Sequence, residues 1–175
     1  EEVQAVQGIS LEFYRDQRER RLLGEDVREY LSFNISQEIF AIPIESIKEI
    51  IKPPVITSLP RTEPVILGII SLRGTIVPVI DVGRKLGIEP AKLSRKARIL
   101  ILEHQGEQMG CLVDSVRSVV RLRDEQIEPP PPVFNRAEAE HLIGVGRLEG
   151  EVVALLDVKS LFDIERFMKR KRRAQ

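Results

Sequence analysis

Few side chains in this sequence have the reactivity that catalysis or metal binding demands, and they are not grouped. The two histidines, His104 and His141, fall at a predicted turn and in a loop. Neither has the Cys, His or carboxylate neighbours at ligand spacing that a metal site requires. The single cysteine, Cys111, lies inside a predicted strand, the setting of a small buried hydrophobe rather than a nucleophile. No serine stands in the glycine-flanked turn of a hydrolase nucleophile. Gly144 and Gly146 are two glycines with no phosphate-binding loop after them. Asp81 and Asp157 each close an apolar run and precede a short helical stretch (Val82–Leu86 and Lys159–Phe162), which suits them to capping a helix start. These residues point to binding without turnover: no enzyme, no metal and no cofactor is expected.

The elements that carry these residues occur twice. Phe33–Ile51 aligns with Leu102–Val120 at a shift of 69, so that Ile44-Glu45-Ser46-Ile47-Lys48 meets Val113-Asp114-Ser115-Val116-Arg117. A second block aligns at a shift of 76: Ile66-Leu67-Gly68-Ile69 lies on Leu142-Ile143-Gly144-Val145, and Val79-Ile80-Asp81-Val82 on Leu155-Leu156-Asp157-Val158. The second copy therefore holds seven extra residues, expected near Leu122–Glu128 because Pro53-Pro54 then matches Pro129-Pro130.

Each copy parses into about five strands, at 29–36, 38–45, 46–52, 66–72 and 75–82 in the first. Leu72-Arg73-Gly74-Thr75 and Leu148-Glu149-Gly150-Glu151 read as tight hairpins, and Gly68, Gly74, Gly144 and Gly150 as structural turn glycines. Five short strands favour a small closed barrel, because closure removes unpaired edges. The expectation is a mainly β chain, with a first barrel at about 29–88 and a second at about 97–165, the latter ending in a short helix. Residues 1–28 form an extension in which Ser10–Leu23 reads as an amphipathic helix, either packed on the barrels or serving docking or dimerisation. Residues 166–175 form a tail with the basic run Lys169–Arg173.

Bulk properties agree. The 27 basic and 27 acidic residues cancel, so overall charge implies neither a nucleic-acid nor a membrane partner. Apolar runs such as Val65–Ile70 fall far short of the roughly 18 residues that cross a bilayer. With no apolar signal segment and one cysteine, a cytoplasmic location is expected, in a sequence that starts at Glu1 and reads as trimmed.

Function should show where the copies part. Strand alternation puts Glu49 on the face of Ile47 and Ile51, where its counterpart is Ser118. A carboxylate on an apolar face is costly unless a cation meets it. Arg73 is the candidate, and it too belongs only to the first copy, its counterpart being Glu149. The alternative is an exposed hairpin arginine, whose ion pair is worth only about 0–1 kcal/mol.

The run Gly68-Ile69-Ile70-Ser71-Leu72-Arg73-Gly74-Thr75-Ile76-Val77-Pro78-Val79-Ile80-Asp81 closely resembles the signature of CheW-like domains, as do Ile47-Lys48-Glu49-Ile50, Gly110–Val116, Glu125–Pro129 and Leu142–Gly146. Ser71 replaces the family's usual asparagine, and the two extensions are not typical of the minimal adaptor. The resemblance, over about Glu29 to Ile164, implies two Src-homology-3-like barrels related by a pseudo-twofold. It implies a non-enzymatic adaptor coupling the signalling tip of methyl-accepting chemoreceptors to the regulatory domain of a CheA-type histidine kinase, recruited to receptor arrays. It places Ile47, Glu49, Arg73, Leu112 and Val113 at or near a receptor-binding groove between the barrels, and it favours the Glu49–Arg73 pair. A CheW-like regulatory module of a larger signalling protein fits the same residues. A tandem-barrel nucleic-acid binder using Lys169–Arg173 fits them poorly, because no aromatic platform for bases is present.

Overall fold

A computed structural model describes residues 27–164. Among them the first copy forms β1 (Val27–Ile35), β2 (Glu38–Pro43), β3 (Ile47–Ile51), β4 (Ile66–Leu72), β5 (Thr75–Asp81) and the one-turn helix α1 (Val82–Lys85). The second forms β6 (Arg98–His104), β7 (Glu107–Val113), β8 (Ser115–Arg123), helix α2 (Arg136–Glu140), β9 (Leu142–Leu148), β10 (Glu151–Leu156) and α3 (Val158–Leu161). Strands fall where Ile, Val and Leu alternate, because a β-branched surface packs well on a pleat. Asp81 and Asp157 cap α1 and α3 as expected, Asp81 Oδ1 accepting from Arg84 N at 3.3 Å and Asp157 Oδ1 from Lys159 N at 3.1 Å.

The sheets do not follow the sequence copies. One has the order β8-β1-β2-β10-β9 and the other β3-β6-β7-β5-β4, so a contiguous first barrel at 29–88 and second at 97–165 is corrected. The first two strands of each copy are exchanged into the other copy's sheet. The parallel contacts β5–β7 and β10–β2 hold the exchange, with Val79 beside Gly110 and its repeat counterpart Leu155 beside Ala41. Swapping the copy labels converts one strand order into the other, which is the pseudo-twofold. The physical reason is the alternation of β1, β2, β6 and β7, which bury both faces. Leu31, Phe33, Phe40, Leu100, Leu102 and Met109 turn one face to a central core fed by both sheets. The other face of β6 and β7 (Ile99, Ile101, Leu112) fills a smaller core with Ile70, Val77 and Val79, and Tyr30 and Ala41 do the same with Leu122, Val153 and Leu155. Ile51 and Leu72 reach one small core from opposite edges of their sheet, as Val120 and Leu148 do in the other, so each sheet curls into a barrel.

The seven extra residues are also relocated. Isolated bridges pair Thr57 with Ile69 and Glu128 with Val145, and these put Thr57, not a residue near the prolines, opposite Glu128. Two of the extra residues then precede Glu128 and five follow it, the length of α2. The proline match carries no shared pairing. Asp114 ties the hairpins to the connector, accepting from Ser36 N at 2.8 Å and Lys92 N at 2.7 Å.

Gly68 sits where β4 skips a register, with φ +151°, and an added Cβ would lie 2.1 Å from Thr57 O. Gly74 has φ +79° but open space around it. Gly68→Ala is expected to lower unfolding free energy by several kcal/mol, and Gly74→Ala by only about 1 kcal/mol. Urea unfolding of the two variants compares them directly.

Candidate functional site

Glu49 and Arg73 meet in a bidentate pair, Arg73 Nη1 donating to Glu49 Oε2 at 2.8 Å and Nη2 to Oε1 at 2.7 Å. Two local features build it. At the β4–β5 turn Arg73 and Gly74 have φ of +48° and +79°, the mirror-image hairpin turn whose first residue accepts a side chain only at some cost. On β3 the register shifts between Ile47 and Glu49, so Lys48 is an extra residue. The bulge corrects the expected alternation. Ile47 and Ile50 oppose Leu102 and Leu100 of the central core, whereas Glu49 and Ile51 oppose Ile101 and Ile99 of the small core. Glu49 therefore shares a face with Ile51 and not with Ile47.

The pair joins β3, one edge of its sheet, to the hairpin of β4, the other edge, and so it stitches the barrel's mouth. The acid's side chain is 17% exposed and the arginine's 72%. This geometry fixes the guanidinium in a fork–fork contact while leaving much of it to solvent. On β5, three residues on from Arg73 in the chain, Ile76 is 65% exposed.

Ile47, Leu112 and Val113, expected at or near the groove, do not share the exposure of Arg73. Each is buried, Ile47 and Val113 in the central core and Leu112 in the small one. Gly74 and Gly150 follow the positive-φ residues Arg73 and Glu149, and Gly68 and Gly144 sit at equivalent close approaches of backbone. The second sheet is not without an ion pair: Arg117 Nη2 donates to Glu151 Oε2 at 3.1 Å, linking β8 to the β9–β10 hairpin. These are the counterparts of Lys48 and Thr75, so the charges are reversed, with the cation on the edge strand. Ser118, the counterpart of Glu49, instead donates its N–H to Ser32 Oγ at 3.2 Å within an equivalent bulge.

Burial pushes the Cys111 thiol up, out of thiolate range at neutral pH. His141 is held below its ordinary value by burial first and the nearby Lys85 second, and shares a 2.8 Å hydrogen bond with Ser160 Oγ. His104 ends β6 and packs on the ring of Phe162, 5.5 Å between centroids. No cluster of three metal-ligating side chains occurs among the described residues. Sequence reasoning missed Ile76, whose signal is its position out of phase with the buried Val77 and Val79. It also missed the buried, unpartnered Glu38 Oε2 and Glu138 Oε2, for which no local pattern exists. Ser10–Leu23 and Lys169–Arg173 lie outside the described residues.

Comparison with known proteins agrees with this architecture. The CheW-like domain family matches residues 29–166. The chain is 32% identical to a chemotaxis protein CheW of Klebsiella aerogenes over 146 residues, covering 83% of this chain and 88% of that one. It is 29% identical to a probable chemotaxis protein CheW of Rhizobium etli over 140 residues, covering 80% and 90%. It also matches the chemotaxis protein CheV3 of Helicobacter pylori at 31% identity, over 71% of this chain but 41% of that longer one. The crystal structure of the scaffolding protein TtCheW from Thermoanaerobacter tengcongensis superposes with a TM-score of 0.71 at 32% identity, covering 77% of this chain and 87% of that one. Fold, repeat and site belong together: the chain is a member of the CheW-like domain family, the family of chemotaxis scaffolding proteins.

Proposed function

We propose that this chain is a non-enzymatic adaptor that couples the signalling tip of methyl-accepting chemoreceptors to the regulatory domain of a CheA-type histidine kinase. The observation that carries the reading is the oriented, exposed Arg73 guanidinium at a barrel mouth closed by Glu49, on the hairpin whose second strand exposes Ile76. An amphipathic helical tip needs an apolar anchor and a polar contact that fixes its register, and this rim offers both. Ile47, Leu112 and Val113 act on the receptor indirectly, by holding the rim in shape. Affinity per contact is modest, and arrays gain strength by engaging many copies at once. The adaptor works in the cytoplasm and is recruited to receptor arrays; among the described residues no helix is long and apolar enough to cross a membrane.

The match to less than half of CheV3 favours one further reading, a CheW-like regulatory module within a larger signalling protein. Immunoblotting the native protein distinguishes the two by size.

Arg73→Glu is expected to weaken binding of a receptor-tip fragment at least tenfold by calorimetry. The thermal midpoint should fall only slightly, because the arginine is largely exposed and an ion pair made by so exposed a partner contributes about 1 kcal/mol. Normal binding by that variant would remove Arg73 from the receptor contact. The charge-swapped double variant Glu49→Arg, Arg73→Glu should recover whatever stability the single change loses, yet remain defective in receptor binding. Recovery of binding by the swap would assign the pair to shape alone.

A further inference from the structure

The five-residue helix α2, part of the insertion unique to the second copy, carries one buried charged side chain. Glu138 is 4% exposed. Its Oε1 accepts from Asn135 Nδ2 at 2.7 Å, while its N–H donates to Asn135 Oδ1 at 2.7 Å, so the cap residue fixes the carboxylate. The partner across the gap is Glu38, at the start of β2. Glu38 Oε2 and Glu138 Oε2 are both shielded from water and without a hydrogen-bond partner. Two acids that feel one another in such a place cannot both ionise without loss, and burial first and Glu138 second favour the protonated form of Glu38.

Among the described residues no cation pairs with either acid, and only Glu138 acts by charge on Glu38. On α2 itself Arg136 turns to Glu140 at 3.3 Å. At the helix end His141 bonds to Ser160 after α3's start, with Lys85 of α1 and the acids Glu140, Asp163 and Asp157 as its charged neighbours. Across the sheet, Glu38 lies opposite the apolar Ile35 of β1, and on the β10 side the adjoining pair is Ile39 and Val153. Apolar groups lie around α2 as well: Phe134, before the helix, packs on the central core, and Ala137 Cβ lies where a side chain on Gly87 would touch it, at 3.5 Å.

We propose that Glu38 and Glu138 form a proton-operated latch that holds α2 and its flanking insertion onto the exchanged strand β2. With the proton in place, the acid–carboxylate hydrogen bond docks the helix. Without it, two like charges face one another in a poorly hydrated site, and the insertion, with Phe134, lifts away. Burial, the hydrogen bond to Glu138 and its charge raise the Glu38 carboxyl to about 7, so the latch works near neutrality. The sign follows from linkage. A carboxyl raised in the docked form favours docking fully below its free value, and that advantage is lost as pH climbs through the raised one.

Hydrogen exchange of the full chain, corrected for intrinsic base catalysis, tests this at the amides of residues 136–142. Opening should rise roughly tenfold per pH unit between about pH 5 and about pH 7, then level off. Glu38→Gln, whose amide still donates to Glu138, should stay docked with no such pH dependence, and His141→Asn should keep the wild-type dependence. Flat opening in the wild type, or a slope that survives Glu38→Gln or vanishes with His141→Asn, would overturn the latch. Should Glu38→Gln fail to fold, carboxyl carbon NMR of the wild type decides: a Glu38 midpoint below about pH 5 rejects the proposal, and one above about pH 6 supports it.

Discussion

Both barrels depend on two short parallel contacts, β5 with β7 and β10 with β2. Each contact is only three residue pairs long, yet it is where a strand of one copy enters the other copy's sheet. The backbone groups of these central strands have no solvent to fall back on, so the ladder must be completed by the foreign strand. Everything else follows from that constraint. The exchanged strands must be apolar on both faces, the central core must draw on both sheets, and the two barrels cannot part as independent domains.

The same constraint explains the rim. Once β6 and β7 occupy the middle of a sheet, β3 and β4 are left at its edges and must be brought together to close the barrel. The bulge at Lys48 twists β3 and re-aims Glu49 over the small core, and the hairpin puts Arg73 within reach. In the other barrel the bulge is retained and the polarity of the closing pair is reversed. A duplicated frame thus carries two differently charged mouths, which is how one symmetric scaffold can offer unlike surfaces to unlike partners.

Much of this was legible in the residues. Strand bounds were, because alternation of Ile, Val and Leu is a local signal: 66–72 and 75–82 were expected and Ile66–Leu72 and Thr75–Asp81 are found. The Glu49–Arg73 contact was legible as a difference between copies. Which strands share a sheet was not, since periodicity reports which faces are buried and says nothing of the strand beside them. The single-residue bulge at Lys48 likewise leaves no trace in composition, and it misdirected the face assigned to Glu49. Ile47, Leu112 and Val113 were placed at or near a groove by the resemblance alone; their burial was not legible, because an apolar strand residue looks the same whether it lines a cleft or fills a core. Glu38 and Glu138 come from opposite halves of the chain, so only the folded contact reveals them.

The exchanged topology also bears on synthesis. A ribosome that has released residues 27–51 has supplied β1, β2 and β3, but the partners that complete their sheets lie far downstream, ending with β10 at Leu156. The barrel that holds β3 can close only after β7 ends at Val113, and β1 and β2 must wait with open edges for nearly the whole domain to emerge. During translation this adaptor is a natural client for holding chaperones, however compact it becomes afterwards.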